Sequence, residues 1–405
     1  MKQTWRWFGP QDQVSLEAML QAGVEGVVTA LHHVPTGDVW TVDEITRRQA
    51  ELATLADGTP SNLAWDVVES LPVSEAIKKQ NGDWRDHIEN YKTSLHNLAS
   101  TGIETVCYNF MPILDWTRTE LNWRLPNGGT CMRFDYPTFA AFDIFILQRP
   151  GATQDYDEAI AAEAAEIHAA MDEAQQQALA KNVVFGLPGA AENFSLADVR
   201  NHLAEYDDVS ADKLRRHFFD FLEEVIPVAE ELGLRMCCHP DDPPFGLLGL
   251  PRIMSTEQDY QTAMDAVDSP ANGITLCSGS LGARPDNDLP GMMQRLGHRV
   301  HFLHLRNVQR ETDAVRGSFY EAEHLAGGTD MVALLAAVVA EEQRRRTEGR
   351  KDHAIPMRPD HGQDILDDLG RNSQPGYPAI GRLKGLAELR GVATALQHDA
   401  LSPNR

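Results

Sequence analysis

Short apolar runs recur along most of the chain, and each of them ends in polar residues. Many of these runs are rich in β-branched residues, and helix-like patterns separate one run from the next, which predicts strands alternating with helices. The predicted strands are TWRWF (4–8), GVVTALHH (26–33), LAWDVVES (63–70), ETVCYNF (104–110), LRMCCHPDD (234–242), GITLCSGS (273–280), RVHFLHLRN (299–307) and AIPMRPDHG (354–362). Strands that alternate with helices pair in parallel, so the pattern favours an α/β fold.

The number of these units favours a closed (β/α)8 TIM barrel over an open sheet. An open doubly wound sheet often carries a glycine-rich phosphate turn after its first strand, and neither GxGxxG nor GxxxxGK[ST] follows the first run here. The length would suffice for two average domains, but no repeat or Pro/Ser-rich linker marks a boundary. We therefore predict a single barrel domain over residues 1–405.

One interval is too long for a single crossover helix. Residues 111–233, between the fourth and fifth predicted strands, include the Ala- and Glu-rich stretch YDEAIAAEAAEIHAAMDEAQQQALA. We predict a long helical insertion here. The insertion would either pack on the barrel or another copy of the chain, or cover the barrel mouth as a lid, and the sequence leaves both alternatives open.

Charge and composition exclude several classes of partner. A net charge of −24 repels polyanions, so we expect neither nucleic acid nor an anionic membrane as a partner. The start MKQTWRWFGPQDQ lacks the apolar segment of a secretory signal, and we expect a soluble, cytoplasmic protein. The five cysteines include no CxxC pair, which argues against a structural zinc site. An anionic substrate would need local arginines or a metal ion.

Residues able to bind a metal ion end four successive predicted strands. They are His239, Cys277, His304 and Asp360. Because catalytic residues of TIM barrels lie at the C-terminal ends of strands, these side chains can converge on one point. Each of them alone is more often a loop or core residue, but the four together favour a divalent metal ion. Ligand softness alone ranks Zn²⁺ or Fe²⁺ before Mn²⁺.

The two-residue period of a strand separates inner from outer side chains. His239 and the neighbouring Cys238 lie on opposite faces of the fifth predicted strand. His304 and His301, three residues apart, lie on opposite faces of the seventh. We therefore expect Cys238 to face the helices and His301 to be a structural residue.

Further polar residues lie near the predicted barrel mouth. Arg306 shares the inner face with His304, and its guanidinium is suited to bind a substrate carboxylate. Asn109 ends the fourth strand, where it would bind substrate or cap a loop. Tyr377 lies in the loop after the last strand and is the phenol nearest to Asp360.

A series of motifs runs in order from about residue 1 to residue 391. They include TWRWFGP, VVTALHHVPTGDVW, VCYNFMPILDWTRT, HPDDPP, HLRN, IPMRPDHG and GYPAIGRLKGLAELRG. Together they resemble the mannonate dehydratase family of hexuronate (glucuronate) catabolism. The resemblance implies a (β/α)8 barrel that removes water from D-mannonate to give 2-keto-3-deoxy-D-gluconate.

The resemblance also implies roles for individual residues. The implied metal ligands are the four strand-end residues His239, Cys277, His304 and Asp360. The implied acid/base pair is His361 and Tyr377, and the sequence leaves open which of the two takes the proton. For the ion itself, the resemblance implies Mn²⁺ or Fe²⁺, one per active site, and outweighs the softness argument.

Two other functions compete with this interpretation. The first is a metal-dependent isomerase or epimerase that acts on a ketose or aldose with the same kind of barrel and metal. The second is a binding or scaffolding protein that purifies without stoichiometric metal. For partners, we expect D-mannonate as a small sugar acid and a further copy of this chain in a homo-oligomer.

Overall fold

The strands of the structure fall into two separate sheets. A computed structural model describes residues 1–184 and 195–401 of the chain. Its strands are β1 (Lys2–Arg6), β2 (Gly26–Thr29), β3 (Trp65–Glu69), β4 (Thr105–Tyr108), β5 (Glu120–Arg124), β6 (Thr130–Phe134), β7 (Arg235–Cys238), β8 (Asn272–Cys277), β9 (Val300–Leu305), β10 (Asn307–Arg310), β11 (Phe319–Ala322) and β12 (Pro356–Pro359).

The first sheet is a closed parallel barrel. Its strand order is β1-β12-β9-β8-β7-β4-β3-β2, and the eight strands coincide with the eight predicted runs. Every residue of β2, β4, β8 and β9 is buried, as expected for parallel strands covered on both faces. The predicted (β/α)8 barrel is confirmed.

Helices follow the barrel strands along the chain. The α-helices of the described residues are α1 (Leu16–Gln21), α2 (Val42–Ala53), α3 (Glu75–Lys79), α4 (Trp84–Ser100), α5 (Tyr136–Ala141), α6 (Glu158–Ala170), α7 (Glu173–Val184), α8 (Leu196–Ala204), α9 (Ala211–Glu231), α10 (Glu257–Ala266), α11 (Ser278–Gly282), α12 (Leu289–Leu296), α13 (Met331–Thr347) and α14 (Ala379–Leu401). None of these described helices is long and apolar enough to cross a membrane.

Capping residues define several of these helix starts. Thr41 accepts a hydrogen bond from the backbone N–H of Glu44 and begins α2, as the Thr-x-x-Glu pattern indicates. The Glu44 side chain binds His33 and Arg47 instead of the backbone N–H of Thr41. At the start of α2, Thr41 therefore forms one of the two hydrogen bonds of a capping box.

The inside of the barrel is filled by side chains from alternate positions of its strands. Val28, Val67, Cys107, Cys237 and Phe302 form one buried cluster there. Such a packed interior leaves no open channel, so groups that can contact a substrate lie at the strand ends.

The second sheet corrects the prediction for the insertion. Its antiparallel strands lie in the order β10-β11-β6-β5, so a hairpin of the insertion pairs with strands that follow β9. The interval 111–233 is therefore not only helical, although it also contains α5 to α9. The Asn127–Gly128 pair between two short runs is a hairpin signal that indicates β5 and β6. Residues 185–194 of this interval lie outside the described residues.

Candidate active site

A cavity of about 640 Å³ opens at the C-terminal ends of the barrel strands. Predicted site residues that line it are Asn109, His239, Arg306, Asp360, His361 and Tyr377. Cys277 and His304 are fully buried directly beneath. The structure thus brings all of the predicted site residues to one end of the barrel, which is the end where barrel enzymes carry out their chemistry.

Three predicted metal ligands converge closely. The ligand atoms of His239, Cys277 and His304 all lie within 4.8 Å of one another. His239 Nε2 is 3.1 Å from His304 Nδ1. The fourth residue, Asp360, places its Oδ2 3.7 Å from Cys277 Sγ and 3.8 Å from His304 Nδ1.

An oxygen atom lies behind each imidazole, at hydrogen-bond geometry for His239 and at ion-pair distance for His304. His239 Nδ1 lies 2.7 Å from the carbonyl oxygen of Pro240, and His304 Nε2 lies 3.2 Å from Glu69 Oε1. If each outer nitrogen carries the N–H of a neutral imidazole, as metal binding requires, the inner nitrogens would offer their lone pairs to an ion beside Cys277. Such an outer carbonyl or carboxylate is the usual support of a metal-binding histidine. The donor set therefore fits a divalent transition-metal ion.

The charges around His239, Cys277 and His304 favour the binding of a cation between these side chains. Burial alone would raise the pKa of Cys277, but the Arg306 guanidinium and hydrogen bonds from His239 and His304 lower it well below its usual value. Burial alone would lower the pKa of His239, but the hydrogen bond and charge of Cys277 raise it to about 10. A thiolate at Cys277 thus draws a positive charge, a proton or a metal ion, to this point.

Two arginines hold the carboxylate of Asp360. Arg306 Nε lies 2.9 Å from Asp360 Oδ2, and Arg358 Nη1 donates to Asp360 Oδ1. Burial would raise the pKa of Asp360, but Arg358, followed by His361 and His304, lowers it well below its usual range. Asp360 is therefore ionised, as a metal ligand must be.

The predicted acid/base pair lies side by side. The rings of His361 and Tyr377 meet edge to face, with centroids 5.1 Å apart. His361 Nδ1 is 3.0 Å from Glu321 Oε1, which fixes the orientation of the imidazole. Burial raises the pKa of Tyr377 more than the neighbouring Arg358 and Arg6 lower it. The phenol is therefore protonated at neutral pH.

The two predicted substrate-binding residues differ in how their polar atoms are engaged. Arg306 is buried and contacts the carboxylates of Asp242, Glu321 and Asp360. Asn109 donates from Nδ2 to Asp115 Oδ1 over 2.8 Å and faces the cavity. A substrate carboxylate would have to compete with three protein carboxylates at Arg306.

The HPDDPP stretch after β7 supplies support rather than further ligands. Asp241 accepts hydrogen bonds from the Met254 N–H and the Ser255 hydroxyl. Asp242 binds Arg118, with Nη1 to Oδ1 at 2.8 Å, and also binds Arg306. The two aspartates therefore order the loop and the arginines that surround the site.

The second sheet (β10-β11-β6-β5), which we call the cap sheet, adds residues that the pattern of strand ends did not indicate. Glu321 on β11 contacts His361, Arg306 and Arg118. Burial would raise the pKa of Glu321, but Arg306 and His361 lower it to about 2. Asp115 and Trp116, at the start of the insertion, line the cavity. The insertion therefore forms part of the wall of the site.

The fold and the site together define a (β/α)8 barrel enzyme with a candidate centre for a divalent metal ion. The chain belongs to the D-mannonate dehydratase family, since the family description D-mannonate dehydratase (UxuA) matches residues 1–402. Mannonate dehydratase of Rhizobium meliloti (strain 1021) and mannonate dehydratase 1 of Agrobacterium fabrum (strain C58) are each 58% identical to it over 398 residues, which is 98% of either chain. The crystal structure of mannonate dehydratase from Streptococcus suis serotype 2 matches with a TM-score of 0.74 and 31% identity, over 99% of this chain and 94% of that one.

Proposed function

We propose that this protein dehydrates D-mannonate to 2-keto-3-deoxy-D-gluconate with the help of a divalent metal ion. The observation that carries the proposal is the convergence of His239, Cys277 and His304 beside Asp360 in a member of this family. A metal site, a histidine and a phenol within one cavity supply the groups that removal of water from a hydroxy acid requires.

His239, Cys277, His304 and Asp360 would hold the ion, and we propose Mn²⁺ or Fe²⁺ in this role. The chemistry that such an ion supplies when bound is Lewis-acid polarisation of the substrate carboxylate, which makes the proton on C2 easier to remove. Glu69 and the carbonyl of Pro240 keep the two imidazoles in place, so that binding costs little rearrangement of the chain.

His361 and Tyr377 would divide the two proton transfers. Glu321 accepts from His361 Nδ1, which leaves His361 Nε2 as the basic atom that can take the C2 proton. Tyr377 is held protonated by burial, so its hydroxyl is suited to protonate the departing C3 hydroxyl. The edge-to-face packing of the two rings supports their action on adjacent carbon atoms of one substrate.

Asn109 and Arg306 remain the proposed contacts to the substrate. The amide of Asn109 faces the cavity and is suited to a sugar hydroxyl. For Arg306, the ion pairs with Asp242, Glu321 and Asp360 favour a second role, which is to hold Asp360 in position.

Incubation of the purified protein with D-mannonate and Mn²⁺ or Fe²⁺ tests the proposal. We expect a 2-keto-3-deoxy acid to form, and we expect a chelator to stop its formation until metal is added back. Interconversion of ketoses or aldoses without this product would instead indicate an isomerase or epimerase. Purification without stoichiometric metal and without turnover would indicate a scaffold.

We further propose that residues 1–405 act as one catalytic domain, in the cytoplasm and as a homo-oligomer. Barrel and insertion share one hydrophobic cluster, which includes Val106 of β4, Phe134 of β6 and Phe218 of α9, and this continuity supports a single domain. Sedimentation of the purified chain tests the oligomer, and cell fractionation tests the location.

A further inference from the structure

The strands β1 to β4 form the half of the barrel mouth that faces the metal-ligand residues. This half carries the guanidinium of Arg6, at the end of β1, into the wall of the cavity. Three arginines line the cavity, namely Arg6, Arg306 and Arg358. They differ in how much of their charge the protein itself neutralises.

Arg358 and Arg306 are fully committed to protein carboxylates. Arg358 binds Glu69 with two parallel hydrogen bonds, Nε to Oε2 at 2.8 Å and Nη2 to Oε1 at 2.6 Å, and binds Asp360 with its third nitrogen. Arg306 contacts Asp242, Glu321 and Asp360. Both side chains are at most 2% exposed, so a substrate carboxylate could bind either of them only by displacing a protein carboxylate.

Arg6 is different because its one carboxylate partner is shared. Among the described residues, Glu69 pairs with Arg6, through Nη1 and Oε1 at 2.9 Å, and the same Glu69 already forms the two-bond pair with Arg358. One carboxylate therefore serves two guanidinium groups, and the charge of Arg6 is only partly balanced. The Arg6 side chain is 17% exposed, toward the cavity that it lines.

The position of Arg6 also suits a substrate that reacts at Tyr377. Its guanidinium carbon lies 5.9 Å from the centre of the Tyr377 ring and 4.9 Å from that of Phe8. Phe8 covers one side of the guanidinium plane, which restricts approach to its edge. The edge of a guanidinium is the part that binds a carboxylate with two hydrogen bonds.

We propose that Arg6 is the residue that recognises the carboxylate of the sugar-acid substrate and so selects acids over neutral sugars. This inference rests on the proposed function, because it assumes that a hydroxy acid occupies the cavity. The strongly negative chain favours such a cation beside the proposed metal ion, since a net charge of −24 opposes the approach of any anion. The half of the mouth formed by β1 to β4 carries none of the four proposed metal ligands and would instead determine substrate specificity.

Binding in an inactive background tests the proposal without interference from turnover. Titration calorimetry on the metal-loaded His361→Asn/Tyr377→Phe protein would compare D-mannonate with D-mannonamide, in which a neutral amide replaces the carboxylate. Adding Arg6→Gln should raise the Kd for D-mannonate about tenfold to a hundredfold, as expected for loss of a charged hydrogen-bonded pair. The Kd for D-mannonamide should change less than about twofold, and Arg6→Lys should lie between the two.

Arg390→Gln is the matched control, because it removes the same charge from a side chain that binds Gln3 and the Ala22 carbonyl away from the cavity. It should leave both Kd values unchanged. Equal weakening of both ligands by Arg6→Gln, or loss of bound metal, would mean that Arg6 acts through Glu69 and would overturn the proposal. An unchanged Kd for D-mannonate would overturn it as well. Failure of the wild-type protein to dehydrate D-mannonate is a separate result that counts against the proposed function.

Discussion

Two cysteines and two histidines on or directly after strands β7 to β9 have opposite properties at the barrel mouth and away from it. On the inner side, Cys277 has a pKa well below its usual value, because Arg306 and two histidines outweigh burial. On the outer side, burial and the nearby Asp241 raise the pKa of Cys238 well above its usual value. The pKa of His239 rises to about 10, whereas burial and two arginines lower that of His301 to about 3.

This difference arises from neighbours and not from residue type. Cys238 belongs to the main hydrophobic core, and the ring of His301 lies 2.9 Å from the carbonyl oxygen of Pro270. The inner residues instead face one another and the ionised carboxylates of Asp360 and Glu69. The unusual pKa values that suit metal binding therefore belong to the group at the barrel mouth, and paired substitutions inside and outside this group can test that division.

The largest difference is expected between the two cysteines. Cys277→Ala removes the proposed thiolate ligand, so bound metal should fall far below one ion per chain and kcat should fall by at least about a thousandfold. Cys238→Ala removes the same atom from the outer face and should keep metal and turnover within about twofold, at a stability cost of about 1 kcal/mol. Metal analysis and steady-state kinetics of both variants check this. Equal metal content in the two variants would remove Cys277 from the ligand set.

Substitution of the proposed proton-transfer residues should lower turnover without loss of bound metal. His361→Asn and Tyr377→Phe should each reduce kcat by about a hundredfold to ten-thousandfold, the usual contribution of general acid or base catalysis. Bound metal should stay near the wild-type value, because neither side chain belongs to the three-residue ligand group. Metal lost together with activity would instead make the residue a ligand.

A smaller effect is expected at β11, where Glu321 within the strand is buried and Glu323, just after the strand, is exposed. Glu321→Gln removes the charge that orients His361 and should lower kcat about tenfold to a hundredfold while KM changes little. Glu323→Gln is the matched control, because Glu323 pairs with Lys384 and is 41% exposed. Steady-state kinetics of the two variants measure the difference. Similar kcat values for the two would show that the cap sheet does not act on His361.

The smallest effect concerns His301, near the start of β9 and away from the cavity. His301 has a folded pKa of about 3, below the ordinary value of 6.5, so its contribution to stability is present above pH 6.5 and is lost as pH falls toward 3. His301→Asn should therefore reduce the loss of unfolding free energy between pH 7 and pH 5 by about 1–2 kcal/mol. Urea denaturation at the two pH values measures this. If the variant lost stability with falling pH as much as the wild-type protein does, a lowered pKa of His301 would be contradicted.

The barrel and its inner-face ligands could be predicted because both depend on local pattern. Parallel strands give apolar runs, and a strand end places its last polar residue at the mouth. The structure confirms the eight strands, and Cys238 belongs to the main core outside the barrel as expected. The two-residue period fails at His301, because the register between β8 and β9 shifts there and the His301 ring lies against Gly273, the partner of the inner residue Cys237.

The cap sheet and the arginine network could not be predicted in the same way. Arg118 and Glu321 are in contact although 203 residues separate them in the chain. No periodicity indicates that the hairpin of the insertion pairs with a strand that follows β9. Arg6 lies at the end of the first strand, but it can bind a substrate carboxylate only because its partner Glu69 is shared with Arg358. Only the three-dimensional positions of these side chains reveal that sharing.

Metal titration of the depleted protein, with the 2-keto-3-deoxy acid as readout, tests the central claim most directly. A chelator-treated sample should be inactive toward D-mannonate and should regain activity in proportion to added Mn²⁺ or Fe²⁺, up to one ion per chain. The Cys277→Ala protein should regain none over the same range. Full activity in the depleted sample, or saturation with metal without formation of this product, would contradict the account.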